Sequence, residues 1–208
     1  MTECDNIKQK QIAFCRGEYG CKKAELTEAV TQQLIFLGGS IMLIETERMI
    51  VRDFNSDDAN DLYEILGDTE TMKYCEPAYD FEKTQKFLDE FCIAQKGAFA
   101  AVLKDSQKVI GYILFKPWEE SVYEIGWIFN KKFWRQGYAY EACSELIEYG
   151  FLELNIHRVV AETIDSQKSV GLMEKLGMKR ESIQRGQTKD VFGNLADLYL
   201  YEILQNGV

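Results

Sequence analysis

A chain of 208 residues with 46% hydrophobic and 12% aromatic side chains holds enough apolar material for one packed domain, or one domain with a short appendage. Its 15 glycines and only 2 prolines exclude collagen-like and low-complexity disordered chains, and no run of about 18 apolar residues marks a membrane span. Twenty-four basic against 34 acidic residues give a net charge of −10, which argues against nucleic acid and toward a cationic partner, because phosphate binding needs a basic face. The start Met1-Thr2-Glu3-Cys4-Asp5 is polar and acidic, unlike a secretion signal, so a soluble cytoplasmic protein without membrane attachment is expected.

Six cysteines, at 4, 15, 21, 75, 92 and 143, form no C-x-x-C pair, and His157 is the single histidine. That leaves no usual zinc ligand set; reduced thiols and no metal are expected. His157, at the entry of a strand beside Arg158, reads as structural.

Residues 1 to 41 contain five basic and five acidic side chains and half of the cysteines, so the whole charge excess belongs to residues 42 to 208, with 19 basic and 29 acidic side chains. The expected division is an extension over 1–41 and a domain over 42–208, parted near Gly38-Gly39-Ser40. The extension offers two helices, roughly 5–16 and 22–37, the second with Leu26, Val30, Leu34 and Leu37 at helical spacing. It reads either as an accessory helical hairpin or as a translated leader before a start at Met42, since Gly-Gly codons just upstream of a Met can spell a ribosome-binding sequence.

From Leu43 the elements come in order. Leu43 to Asp53 reads as one strand, and Ser56-Asp57-Asp58 as the N-cap and first-turn acids of a helix carrying Ala59, Leu62, Tyr63 and Leu66. A second helix, about 80–95, places Phe87, Leu88 and Phe91 on one face. Ala98 to Leu103, Val109 to Phe115 and Ser121 to Phe129 form an antiparallel meander, its first turn at Asp105-Ser106-Gln107.

The pattern then changes. A strand ending at Phe129-Asn130 runs through Lys131-Lys132-Phe133-Trp134-Arg135-Gln136-Gly137 into a helix with the apolar stripe Ala139, Ala142, Cys143, Leu146, Ile147 and Gly150. Arg158 to Ile164 is a further strand and Ser166 to Leu176 a helix capped by Gly177. Met178 to Gln187 and Leu195 to Leu204 are closing strands. The fold class is α+β: a single mixed, mostly antiparallel sheet with helices on both faces.

Strand, basic glycine-containing loop and helix N-terminus make a physical anion site, because unpaired backbone N–H groups and the positive end of the helix dipole face the same spot. A pyrophosphate suits it; a basic turn on an ordinary helix would show the same residues. The spacing is neither G-x-G-x-x-G nor G-x-x-x-x-G-K-[ST], so dinucleotide and P-loop folds are not indicated.

Three segments in order carry a resemblance over about residues 43 to 204: Tyr123-Glu124-Ile125-Gly126-Trp127, Trp134-Arg135-Gln136-Gly137-Tyr138-Ala139-Tyr140-Glu141-Ala142, and the stretch from Ser169 to Met178. Together they resemble the GNAT superfamily of acetyl-CoA-dependent N-acetyltransferases, most of all its ribosomal-protein (Rim-like) branch. Gly137 and Ala139 match the acetyl-CoA signature of that family; its first position, Gln or Arg, is Trp134 here.

The resemblance implies acetyl-CoA as co-substrate. The backbone of Arg135, Gln136, Gly137, Tyr138, Ala139 and Tyr140 would cradle the pyrophosphate, Gly137 allowing close approach. Arg135 and Lys132 are either phosphate partners or merely solvated. The resemblance also implies a sheet splayed at its centre, a bulge in the 122–130 strand with Gly126 as its candidate, and a pantetheine chain paired with the opened edge near Ile128 and Phe129. Gly126 reads equally as a packing glycine.

For the proton of the amine the candidates are Glu124 and Glu162, one on each splayed strand, their alternative being a strand face or an ion pair. The tyrosine that many relatives use as acid is replaced by Met173; Ser169 takes the serine place of the Rim-like branch, and Ser166 stands where an asparagine is usual. Tyr74, Tyr79, Trp118 and Trp127 are candidates for an acceptor groove or for packing. Asp190, Asn194 and Asp197 suit either acceptor or turn roles. The implied function is direct acetyl transfer to a primary amine, on a protein N-terminus or a small cationic molecule, with a homodimer left open. The rival is a non-catalytic acyl-CoA-binding module on the same fold.

Overall fold

The computed structural model describes residues 43–205. The extension read over 1–41, with its two helices and the cysteines at 4, 15 and 21, lies outside the described residues.

The first expected strand is two. Leu43–Glu45 (β1) and Met49–Asp53 (β2) pair antiparallel around a turn at Thr46-Glu47-Arg48. Nothing in that turn is Gly, Pro, Asn or Asp, so the sequence carries no break signal. The turn is held by Thr46, whose N–H donates to Met49 O at 2.9 Å while its hydroxyl accepts from Met49 N at 3.0 Å. The chain then turns into a short 3-10 segment, Ser56–Asp58, and helix α1, Ala59–Leu66. The 3-10 segment is capped by Asn55 rather than Ser56: Asn55 accepts from Asp57 N, and the Asp58 carboxylate accepts from Asn55 N, a capping box. Asp58 also binds the Arg52 guanidinium in a fork, at 2.7 and 2.8 Å.

Helix α2, Phe81–Phe87, is capped by Asp80 and passes directly into a π-helical stretch, Leu88–Ala94. The meander comes next as β3, Phe99–Leu103; β4, Val109–Glu119; and β5, Val122–Phe129. Helix α3, Tyr138–Glu153, strand β6, Arg158–Thr163, helix α4, Lys168–Lys175, and strands β7, Lys179–Lys189, and β8, Leu195–Leu204, complete the chain.

All eight strands form one sheet in the order β1-β2-β3-β4-β5-β6-β8-β7, and every neighbouring pair is antiparallel except β5–β6. Strand alternation divides the interior into two layers. Phe99, Ala101 and Leu103 of β3 join Ile113, Ile125 and the α3 residues Ala142, Cys143, Leu146 and Ile147 on one face. Ala98, Ala100 and Val102 join Leu62, Ile65, Leu66, Leu88 and Cys92 on the other. The α3 stripe is buried as its spacing predicts, except for Ala139, which is half-buried near the helix entrance. Gly150 lets that helix lie close to the sheet, because a Cβ there would stand 2.8 Å from Phe115 Cζ. Among the described residues no helix is long and apolar enough to cross a membrane, and no group of three or more His, Cys, Asp or Glu side chains is placed to hold a metal ion.

Candidate active site

The parallel pair at the sheet centre is short. β5 and β6 pair only at Val122↔Arg158, Tyr123↔Val159 and Glu124↔Val160, although β5 runs on to Phe129 and β6 to Thr163. Beyond Glu124 the two strands part, which is the central splay expected from the sequence. The opening is not made by a bulge at Gly126. Gly126 stands opposite Leu114 in unbroken register from Gly111↔Phe129 to Pro117↔Tyr123, and the shift falls at Pro117/Glu119 instead.

The same register decides which backbone groups face the gap. Asn130 N donates to Ile110 O on the β4 side at 2.9 Å, so by the two-residue alternation of an antiparallel ladder Ile128 also bonds to β4. Ile125, Trp127 and Phe129 present their N–H and C=O groups to the gap. This corrects the expectation for Ile128, whose backbone is already used. The Phe129 carbonyl is also taken, by the Trp134 indole N–H at 2.6 Å, which leaves its N–H and both groups of Trp127 for an extended ligand. Trp134, the departure from the family signature, thus ties the loop to the end of β5, and Lys168 of α4 lies 4.0 Å over its ring.

At the mouth of the gap stands the N-terminus of α3. Arg135 and Gly137 adopt positive φ, 60° and 87°. The first amide that closes a helical bond is Glu141 N, to Gly137 O at 3.0 Å. The N–H groups of Tyr138, Ala139 and Tyr140 therefore precede the ladder. Gly137 is favoured because its φ is left-handed; a Cβ there would lie 3.3 Å from Arg48 Nη2, a tight but yielding contact. Arg135 and Lys132 are exposed, and the Lys132 ammonium pairs with Glu64 at 3.4 Å, which favours the solvated reading for that lysine.

Two residues that sequence reading passed over shape this entrance. Glu141 Oε1 accepts from Thr46 Oγ1 at 2.5 Å and Arg48 N at 2.7 Å, and its Oε2 accepts from Arg48 Nε and lies 2.7 Å from Nη2. Arg48 also reaches Gln136 O at 2.9 Å and lies 4.2 Å over the Tyr138 ring. Burial alone would raise the Glu141 carboxyl, but these donors and the guanidinium charge outweigh it and hold it below the ordinary carboxylate value. Glu141 lies inside the loop–helix motif; a separation of 93 residues hid its partner.

The two candidate glutamates meet. A cleft of about 180 Å3 is lined by Trp118, Glu119, Val122, Glu124, Arg158, Val160, Glu162, Glu181 and Tyr201. Glu124 is the last paired residue of β5, is 14% exposed, and makes an ion pair with its cross-strand neighbour Lys116 at 3.2 Å. Glu162, two residues past the pairing, is exposed; partial desolvation and the nearby Glu124 charge push its carboxyl above the ordinary value, with Lys116 opposing. Arg158 is engaged by Glu181 at 2.8 Å and Glu202 at 2.7 Å.

Helix α4 begins two residues later than expected, and its first amides are capped by Asp165, which accepts from Gln167, Lys168 and Ser169 N. Ser169 is half-buried and Ser166 exposed, and among the described residues neither hydroxyl has a hydrogen-bond partner. Met173 is in the core at 1% exposure. Of the aromatic candidates, Trp118 alone lines the cleft. Trp127 packs on the α3-side core, Tyr79 belongs to the opposite core, and Tyr74 is exposed. Asp190 caps the β7–β8 turn through Phe192, Gly193 and Asn194, and Asp197 accepts from Gly186 N, so both serve the hairpin. The His157 side chain is exposed, its backbone bridging Ser121 and Gln205. Cys75, Cys92 and Cys143 are free; Cys92 and Cys143 are buried, which pushes the first thiol up to about 12 and the second further, so neither is a ready nucleophile.

A sheet opened at one parallel pair, with a glycine-led helix N-terminus at the opening and carboxylates at its base, defines an acyl-CoA-dependent acyltransferase fold. The family described as Acetyltransferase (GNAT) domain matches residues 48–179, and the chain belongs to it. It is 38% identical over 146 residues to an uncharacterized N-acetyltransferase, YnaD, of Bacillus subtilis (strain 168), covering 67% of this chain and 84% of the relative. Among solved structures, a GNAT-family acetyltransferase from Bacillus anthracis superposes with a TM-score of 0.73 at 32% identity, over 78% of this chain and 98% of that one. A ribosomal-protein-alanine acetyltransferase from Vibrio fischeri shares the fold, with a TM-score of 0.68 at 19% identity over 80% and 98% of the two chains. The protein is therefore an acetyl-CoA-dependent acetyltransferase.

Proposed function

We propose that the enzyme acetylates a primary amine by direct attack on acetyl-CoA in a ternary complex, residues 42–208 forming the catalytic domain beside an extension over 1–41. The observation that carries this reading is the splay beyond Glu124, with Glu124 at its base and Glu162 on the facing strand, both lining one cleft. Acetyl-CoA supplies the activated acetyl group when bound. The amides of Arg135 to Tyr140 hold its pyrophosphate, and the gap-facing edge of Trp127 and Phe129 orders its pantetheine arm.

Glu124 takes the proton of the attacking amine. Lys116 pairs with that carboxylate, and its place at the base of the splay sets it toward the reacting end of the gap. Glu162 adds negative charge that holds an incoming ammonium. Ser169 donates a hydrogen bond to the sulfur as it departs as a thiolate, a contact that Met173, in the core, cannot supply.

The acceptor is cationic in this proposal. The cleft carries Glu119, Glu124, Glu162 and Glu181, and its two neighbouring cations, Lys116 and Arg158, already have carboxylate partners. A protein N-terminus, the acceptor type of the Rim-like branch, and a small polyamine or aminoglycoside-like molecule both meet that requirement. Thiol release from acetyl-CoA, measured against a panel of peptides and amines, tests activity and acceptor class together. Turnover with neutral or acidic acceptors and none with cationic ones would refute the assignment.

A further inference from the structure

We propose that Arg48 is a positioning residue of the acetyl-CoA site: it neutralises Glu141 in the first turn of α3 and fixes the Gln136 carbonyl, so that the loop amides present an uncompensated positive field to a diphosphate. The inference rests on the acetyl-CoA assignment above.

A carboxylate in the first turn of a helix stabilises the helix through its dipole. At an anion site the same carboxylate competes with the ligand for that dipole. Glu141 would be such a competitor, 15% exposed and only four residues after Gly137. Arg48 resolves the conflict. Its Nε and Nη2 both lie 2.7 Å from Glu141 Oε2, and its main-chain N–H serves Oε1, so the carboxylate is turned from the loop toward the β1–β2 turn and its charge is matched.

The remaining guanidinium nitrogen is also used. Nη1 binds Gln136 O at 2.9 Å, which turns the carbonyl end of the Gln136–Gly137 peptide toward Arg48 and its N–H end the opposite way. The plane of the guanidinium over the Tyr138 ring, at 4.2 Å, holds the group across the loop. One side chain from the start of the domain thus sets both the charge and the peptide orientation of a loop 88 residues later.

The test compares acetyl-CoA with acetyl-pantetheine, which has the same thioester arm and no pyrophosphate, by calorimetry on the full chain. Wild type should bind acetyl-CoA much more tightly than acetyl-pantetheine. Arg48→Met should weaken acetyl-CoA by roughly tenfold or more, the scale of one charge-assisted contact, and leave acetyl-pantetheine unchanged. Arg48→Met/Glu141→Gln should recover most of that loss, because the unmatched carboxylate is gone.

Glu141→Gln alone guards against a folding artefact. It should lower the melting temperature, since the Gln amide faces guanidinium donors, yet keep acetyl-CoA affinity within about twofold of wild type or tighter. Equal loss of both ligands in Arg48→Met would overturn the proposal. So would a double variant no better than the single one, or a Glu141→Gln protein that loses acetyl-CoA as badly as Arg48→Met. If wild type does not distinguish the two ligands, the pyrophosphate cradle itself fails, and Arg48 loses its role with it.

Discussion

Gly137→Ala separates the cost of a left-handed backbone from the cost of a blocked ligand. Gly137 sits at φ 87°, where an L-residue loses about 1–2 kcal/mol relative to glycine. The new Cβ would lie 3.3 Å from Arg48 Nη2, the end of a flexible side chain that shifts a few tenths of an ångström at small further cost. The expected destabilisation is therefore about 1–2 kcal/mol, or roughly 2–8 °C in melting temperature for a domain of this size. The ligand effect is separate, since Gly137 lies in the loop whose amides are proposed to hold the pyrophosphate.

Acetyl-CoA at about 100 times its dissociation constant should stabilise wild type by about 2.7 kcal/mol; a tenfold weaker site gains only about 1.4 kcal/mol. Thermal melts with and without acetyl-CoA read both quantities on one sample. Gly171→Ala is the internal comparison: it lies within α4, a Cβ there meets nothing within 4 Å, and the substitution should raise stability by about 1 kcal/mol. A Gly137→Ala protein that melts lower but keeps the full acetyl-CoA shift would refute the cradle.

Glu124→Gln keeps shape but removes basicity, so kcat should fall by roughly 10²–10⁴ with acetyl-CoA affinity little changed. Ser169→Ala should cost less, and a crippled Glu162→Gln beside a near-normal Glu124→Gln would move the base to β6. Glu162 also predicts a stability signature. Its carboxyl is raised in the folded state, so the stabilisation it gives is fully present below the ordinary carboxylate value and is lost as pH rises through the folded one. Glu162→Gln should therefore raise the melting temperature at neutral pH and leave it unchanged in acid; the opposite pattern in a pair of melts would disprove the account from partial desolvation and the Glu124 charge. A chain beginning at Met42 should fold and bind acetyl-CoA like the full chain, and an insoluble or unfolded product would make residues 1–41 part of the domain.

Local pattern was enough for most of the architecture, because strand alternation and helical spacing act through near neighbours. The apolar run 98–103 announced a strand, and the stripe from Ala142 to Gly150 announced the face of α3. Gly177 marked a helix end, and the loop with Gly137 announced a helix entrance. The segments around Tyr123, Trp134 and Ser169 carried the family, and Glu124 and Glu162 stood out as carboxylates on the two central strands.

What the sequence left undecided depends on groups far apart in the chain. The break within 43–53 has no turn residue to signal it; it is held by Thr46 and by Glu141 from α3, 95 residues away. Which β5 amides face the gap came from one ladder bond, Asn130 to Ile110, and that bond excluded Ile128 where residue spacing could not. Gly126 looked like a bulge because glycine tolerates one, yet the β4 register placed the shift at Pro117/Glu119, where the strand pair ends. Arg48 and Glu141 are ordinary surface charges when read in line. Their roles arise only when the sheet brings the β1–β2 turn against the first turn of α3, for a charge has no fixed meaning until its partner and its dielectric surroundings are set by the fold.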